Sequence, residues 1–212
     1  MSLEGARNRS GASAGLMLLG VGLYTVMMAY LIRIPCHVPE WNVAEQVPQL
    51  CATVIDAGDL GVHSSDVAGG FFTGGPTGDQ PVLVGMITTI IGWFASNLSS
   101  LMGLDVGQGF YLDLSVVLLA LVWLAIVAVV SSLSGNRSTD ALVMALSPVV
   151  VLVGFQSWDL WAVMLAALAL WAWTAGRPTL AGLLIGLGTA TKLYPLFFFG
   201  AILVLALRTG RW

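Results

Sequence analysis

Charged residues are scarce in this chain of 212 residues, at 9% of the total, and lysine occurs once. Soluble domains carry about 25% charged residues, so the scarcity excludes an ordinary water-soluble globule. The basic residues are few and scattered, which excludes the clustered positive patch of a nucleic-acid-binding protein. Two separated histidines give no metal site, and the glycine-rich stretch 69–79 lacks the lysine of a nucleotide-binding loop.

Apolar residues dominate the chain, at 58% of the total and with a mean hydropathy of +0.91. A helix needs about 20 apolar residues to cross a bilayer core of about 30 Å, and residues 11–32 and 114–134 meet that requirement. The sequence predicts an all-α, polytopic transmembrane helical bundle with about six or seven membrane segments, some of them short or re-entrant. We divide it into a cytoplasmic N-terminus (1–10), a first transmembrane helix (11–32), an extracytoplasmic loop (33–80) and a transmembrane helical region (81–212).

The distribution of charge predicts the orientation. Arg7 and Arg9 precede the first span, whereas residues 33–80 carry six acidic residues against Arg33 alone. Loops poor in lysine and arginine tend to stay outside the cytoplasm. We therefore expect a multi-pass protein of the plasma membrane with a cytoplasmic N-terminus.

The outer loop contains two kinds of candidate. Cys36 and Cys51 can form a disulfide in an oxidising exterior, or can remain two free thiols. Asp56 and Asp59 are three residues apart and share a face of a helical turn, where a carboxylate can act as general base toward a hydroxyl. The alternative for each aspartate is a place in a solvated acidic loop.

Two polar turns interrupt the later apolar segments: "SWD" (157–159) and "KLYP" (192–195). If Arg137, Arg177 and Arg208 are cytoplasmic, both turns point outward. Helices 141–155 and 179–191 are then only about 20–23 Å long, so the turns would lie on the floor of a cavity open to the outside. Whether segment 81–103 crosses the membrane or re-enters stays open.

Ionisable residues inside membrane segments mark functional sites by default, and Lys192 and Asp159 are the two candidates. They can pair with each other, Lys192 can extend its ammonium to the interface, or Lys192 can bind an anion such as a lipid phosphate. Tyr194 offers a hydroxyl beside it, and Pro195 breaks the helix. The small residues of "GLLIG" (182–186) predict close helix approach.

Several of these stretches match a known family. "SPVVVLVGFQSWDLWAV" (147–163), "LAGLLIGLGTATKLYPLFFFGAILVLALR" (180–208) and, more weakly, "DQPVLVG" (79–85) resemble the GT-C integral-membrane glycosyltransferases. Within these, the chain resembles glycosyltransferase family 87, the actinobacterial mannosyltransferases that depend on polyprenyl-phosphate mannose. The resemblance covers the N-terminal half of such a protein.

The resemblance implies transfer of a mannosyl group from a polyprenyl-phosphate donor on the outer membrane face, in the synthesis of envelope glycans and with inversion at the anomeric carbon. It implies that the lysine bend lies near the donor phosphate, that an outer-loop aspartate is catalytic, and that no cofactor is needed. Together with Lys192, we expect Tyr194, Asp159 and Trp158 to bind the substrate. The family's loop aspartate aligns with Val54 here, so Asp56 or Asp59 would have to serve. The alternative is a non-catalytic subunit that binds lipid or stabilises a larger membrane complex.

Overall fold

All regular structure that can be described in this chain is helical. The computed structural model describes residues 3–34, 81–102, 108–135 and 138–209. Its helices, in chain order, are α1 (Leu3–Arg33), α2 (Val82–Met102), α3 (Gln108–Ser134), α4 (Ser138–Ala145), a π-helical segment (Val150–Gly154), α5 (Asp159–Thr174), α6 (Pro178–Thr191) and α7 (Leu196–Thr209). The all-α prediction is confirmed for these ranges.

Within the described ranges, two helices are long and apolar enough to cross a membrane, judged by length and composition. The segments are Ala14–Arg33 in α1 and Asp113–Ser134 in α3, which coincide with the predicted spans 11–32 and 114–134. The 14-residue α6 is about 21 Å long at the helical rise, shorter than the hydrocarbon core. A bundle of six or seven segments therefore stays a prediction.

Helix α3 occupies the centre of the bundle, where it contacts α1, α2, α4 and α5. Its residues Leu119, Trp123, Ile126 and Val127 are at most 2% exposed. Helix α1 approaches closely at Gly22, because a Cβ there would lie 3.3 Å from Val127 Cγ2. The outward faces carry large apolar side chains such as Leu16 and Leu121, as expected of surfaces that contact lipid.

The apolar stretch 141–155 is interrupted rather than one continuous helix. Helix α4 ends at Ala145, the break lies at residues 146–147, and Pro148, which has no N–H to donate, opens the next helical stretch. The chain then adopts the π-helical segment Val150–Gly154. This segment ends just before the "SWD" turn, so the position of that turn depends on an irregular helix.

Helices α5 and α6 form a hairpin, the most extensive helix pair in the described part of the chain. Gly176 has φ +71°, a left-handed conformation that favours glycine. The Arg177 N–H donates to the Ala172 carbonyl, and the Gly176 N–H donates to the Trp173 carbonyl, which is the Schellman arrangement. Pro178 then opens α6.

The close approach of a neighbouring helix that was expected at "GLLIG" (182–186) occurs instead at Gly188, further along α6. A Cβ on Gly182 or Gly186 would have no atom within 4 Å outside the local helix backbone. Gly188 is the buried glycine that faces α5, together with Ala181, Ile185 and Thr191. The prediction identified the right helix but the wrong face.

Candidate functional site

The "KLYP" turn separates α6 from α7. Helix α6 ends at Thr191, and Lys192 is extended, with φ −153° and ψ 149°. The Lys192 N–H still donates to the Gly188 carbonyl, at 3.0 Å. The predicted helix break is confirmed. It begins at Lys192, three residues before the proline, so the lysine leaves the helix axis before α7 starts at Leu196.

Pro195 anchors this turn against the α5–α6 pair. The residue is less than 2% exposed. A Cβ on Gly188 would lie 3.1 Å from Pro195 Cβ and 3.4 Å from Leu165 Cβ. The absence of a side chain on Gly188 therefore lets the proline ring pack directly on α6 and fixes where the chain turns.

Asp159 and Lys192 bring the two turns together. Lys192 Nζ lies 3.0 Å from Asp159 Oδ1, and the side chains are 46% and 49% exposed, respectively. Oδ1 is shielded from solvent and makes no hydrogen bond, so its contact with the ammonium is one of charge. This is the ion pair that the sequence left as one of three alternatives.

The pair leaves much of the ammonium unengaged. A lysine carries three N–H donors and no acceptor, and Asp159 Oδ1 can occupy one direction at most. Because nearly half of each side chain is accessible, an anion can approach Lys192 without breaking the contact. Ion pairing and anion binding are thus compatible at this position.

Tyr194 also contacts the start of α5. Its hydroxyl donates to the Asp159 main-chain carbonyl in a long hydrogen bond of 3.5 Å. A tyrosine phenol ordinarily ionises only at about pH 10, so this hydroxyl is a neutral hydrogen-bond donor at physiological pH.

Trp158 anchors the "SWD" turn in the hydrophobic core. It is 4% exposed and belongs to the core cluster with Phe155 and Leu160, and its carbonyl accepts the Trp161 N–H at 3.2 Å. This burial gives Trp158 a packing role under Asp159. Direct contact between Trp158 and a substrate stays a prediction.

The outer-loop candidates lie outside the described residues. These are the aspartates Asp56 and Asp59 and the cysteines Cys36 and Cys51, for which general-base and disulfide roles stay predictions. Within the described ranges, no group of three or more histidine, cysteine, aspartate or glutamate residues could hold a metal ion.

Arg33 is the residue that sequence reasoning missed. In the sequence it is only the one basic residue of the predicted loop 33–80, yet its side chain is 8% exposed. Its guanidinium donates to main-chain carbonyls, including that of Leu152 at 2.9 Å. The signal available in the sequence was its position directly at the end of a 20-residue apolar stretch, where a charged side chain needs a partner.

The region that contains both turns matches a family model. The model is that of glycosyltransferase family 87, and the match covers residues 82–212, more than half of the chain. Comparisons with curated proteins and with solved structures gave no match. The chain therefore belongs to glycosyltransferase family 87, a family of membrane glycosyltransferases.

Proposed function

We propose that this protein transfers a mannosyl group from a polyprenyl-phosphate donor to an acceptor hydroxyl at the outer face of the plasma membrane. The observation that carries the proposal is the meeting of the two turns through Lys192 and Asp159, within the part of the chain that matches the family model. A lipid phosphate is the anion that a membrane enzyme of this kind has to bind. The half-exposed ammonium of Lys192 is a suitable partner for it.

In the proposed donor-binding step, Lys192, Asp159 and Tyr194 each have a role. Lys192 donates N–H groups to the phosphate, and Asp159 holds the lysine side chain in place. Tyr194, as a neutral phenol, has one O–H, which turns from the Asp159 carbonyl, where the bond is long, to the phosphate. A positive charge here also stabilises the leaving group, because negative charge grows on the phosphate as the glycosidic bond breaks.

The transfer itself is a single displacement. An outer-loop carboxylate, Asp56 or Asp59, accepts the proton of the acceptor hydroxyl. The hydroxyl oxygen attacks the anomeric carbon, and the bond from that carbon to the phosphate oxygen breaks with its electron pair. Polyprenyl phosphate leaves, and the sugar is attached with inverted configuration. No cofactor enters this scheme, since the donor carries its own leaving group.

The lone lysine gives a direct test of donor binding. The full chain in detergent is treated with an amine-reactive reagent, and modification of Lys192 is followed by mass spectrometry with the N-terminal amine as internal reference. Polyprenyl phosphate should slow modification of Lys192 about tenfold, in line with a charge-assisted contact. Polyprenol without phosphate should leave the rate unchanged. Equal rates with both lipids would contradict phosphate binding at Lys192.

Transfer is tested separately in membranes that contain the protein. Radiolabelled polyprenyl-phosphate mannose is supplied together with the endogenous lipid acceptors, and labelled products are counted. Asp56→Asn, Asp59→Asn and the double variant test the general base, with Arg177→Gln as a control at the far end of the α5–α6 hairpin. Undiminished transfer by all three aspartate variants would remove the outer-loop base from the mechanism.

A second candidate function follows from Val54, which stands where the family's loop aspartate is expected. In this case the chain binds a lipid or stabilises a membrane complex without catalysing transfer. Purification of the tagged protein in mild detergent separates the two candidates. A stoichiometric protein partner and no transfer activity would favour the subunit, whereas a monodisperse chain with transfer activity would favour the enzyme.

A further inference from the structure

Arg33 is buried at the end of α1 without a carboxylate partner among the described residues. It is 8% exposed. The acidic side chain Asp159 is engaged elsewhere, with Lys192. A buried charge is costly unless hydrogen bonds and favourable dipoles compensate for it. The question is which groups provide that compensation.

The guanidinium donates to two different parts of the chain. Nη1 donates to the Ala29 carbonyl at 2.9 Å, one turn back in α1, and to the Val151 carbonyl at 3.3 Å. Nη2 donates to the Leu152 carbonyl at 2.9 Å. Ala29 lies in the last turns of α1, whereas Val151 and Leu152 belong to the π-helical segment, more than a hundred residues away.

Both contact points are helix C-terminal regions, which explains why a cation is favoured there. The last carbonyls of a helix lack amide partners and carry partial negative charge. The π-helical segment stops at Gly154, and the Gln156 N–H donates to Val153 instead of continuing the pattern. Arg33 therefore supplies donors to carbonyls close to the ends of both elements, and its positive charge lies at the favourable C-terminal end of α1.

The π-helical segment leads directly to the donor site. Between Leu152 and Asp159 the chain buries Phe155 and Trp158 in the core, at 3% and 4% exposed. Asp159 then begins α5 and meets Lys192 at 3.0 Å. A shift of the π-helical segment would move this short connection and with it the carboxylate that orients the lysine.

We infer that Arg33 is a positioning residue of the donor site: by holding the π-helical segment against α1, it sets the position of Asp159 opposite Lys192. The significance of this role for transfer rests on the proposed function, but the positioning itself does not. A displacement of about 1 Å at a reacting centre can cost about a hundredfold in rate, so such a residue can matter without touching the substrate.

The test uses the reactivity of the single lysine and needs no substrate. The rate at which a soluble amine-reactive reagent modifies Lys192 is measured in the full chain in detergent, for Arg33→Met and for Asp159→Asn. A lysine held in an ion pair reacts more slowly because the pair has to open first. For a half-exposed pair we expect Asp159→Asn to raise the rate about twofold to fivefold. Arg33→Met should raise it to a similar extent, and the double variant should add nothing further.

Thr25 provides a matched control for a general loss of packing. Its hydroxyl also joins α1 to the following part of the bundle, through the Ala145 carbonyl at the end of α4, but away from the "SWD" turn. Thr25→Val should leave the Lys192 rate unchanged. The inference is overturned if Arg33→Met leaves the rate at the wild-type value, or if Thr25→Val raises it equally.

The transfer assay then separates this inference from the proposed function. Increased lysine reactivity in Arg33→Met with no transfer by the wild-type protein would support the positioning role and contradict the enzyme. Unchanged reactivity in Arg33→Met with active wild-type protein would contradict the positioning role alone. If the positioning role and the transfer activity are both confirmed, Arg33→Met should lower kcat/KM for the donor about tenfold or more.

Discussion

The ring of Pro195 packs directly on Gly188, so the "KLYP" turn closes back onto the helix from which it emerges. A Cβ on Gly188 would lie 3.1 Å from Pro195 Cβ and 3.3 Å from Pro195 Cγ. Both are atoms of a rigid ring that is itself fully buried. The contact fixes the direction in which the chain leaves α6, and hence where Lys192 presents its ammonium.

Gly188→Ala should disturb this turn, and Gly186→Ala is its control. In Gly188→Ala the new methyl group meets Pro195 and Leu165, neither of which can yield easily, and overpacking of this kind costs about 1–3 kcal/mol. In Gly186→Ala the methyl group meets nothing within 4 Å, so the better helix propensity of alanine should stabilise the protein by about 0.5–1 kcal/mol. Thermal unfolding in detergent measures both.

Opposite shifts of the unfolding temperature are thus expected from two substitutions one half-turn apart on α6. A gain of stability in Gly188→Ala would mean that the Pro195 ring moves aside at no cost, and the turn would then be more adaptable than this packing indicates. Transfer activity of Gly188→Ala should fall even at temperatures where the variant remains folded, because the turn also carries Lys192.

Lys192→Gln should separate function from stability. The ion pair with Asp159 is nearly half exposed, and exposed pairs contribute about 0–1 kcal/mol. We therefore expect little change in the unfolding temperature. A charge-assisted hydrogen bond to phosphate is worth about 1.5–3 kcal/mol, so kcat/KM for the donor should fall by about ten- to a hundredfold.

Lys192→Arg is the conservative control, because it keeps the charge and can bind phosphate with two donors. It should retain more activity than Lys192→Gln in an assay at fixed protein content. Equal activity of Lys192→Gln and the wild-type protein would leave the lysine with the structural role of pairing with Asp159. Equal loss in both variants would indicate that the site needs the compact ammonium.

Tyr194→Phe tests the hydroxyl as a donor. The substitution removes the O–H that contacts the Asp159 carbonyl and, in the proposed complex, donates to the phosphate. A typical net value of about 0.5–1.5 kcal/mol for such a hydrogen bond predicts a loss of activity of about three- to tenfold. The pH profile of transfer between pH 6 and pH 9 should keep its shape, because the phenol does not ionise in that range. A shifted profile in Tyr194→Phe would contradict this assignment.

The sequence predicted the parts of the site that depend on strong local signals. A lone lysine followed by a proline in an apolar segment predicted a polar helix break, and the structure has one at Lys192–Pro195. The two longest apolar stretches predicted the two described helices that are long and apolar enough to cross a membrane. The pairing of Lys192 with Asp159 was one of three alternatives, because sequence spacing alone does not tell which helices are neighbours.

What the sequence did not predict depends on long-range packing. Arg33 was interpreted through the charge distribution of loops, and nothing local indicates that its guanidinium reaches carbonyls over a hundred residues away. The spacing of Gly182 and Gly186 does not reveal which face of α6 meets α5, and Gly188 proved to be the close contact. The π-helical segment likewise follows from its surroundings and not from a recognisable motif.

Gly154 gives a final prediction, about the π-helical segment itself. A Cβ on Gly154 would lie 2.9 Å from Val150 Cγ1, and because valine is stiff at χ1 the methyl group cannot move away without a change of rotamer. Gly154→Ala should therefore shift the segment and destabilise the protein by about 1–3 kcal/mol. The rate of Lys192 modification should rise with it, since Asp159 follows five residues later.

Val150→Ala should rescue this variant. It removes the very atom that the new Cβ meets, although alone it loses some packing against the core, to which Val150 is adjacent. The double variant Gly154→Ala/Val150→Ala should be more stable than Gly154→Ala, a non-additive effect of the kind that residues in direct contact show. Simple addition of the two losses would mean that the clash is absorbed elsewhere, and that the segment is not held as tightly as its contacts with Arg33 indicate.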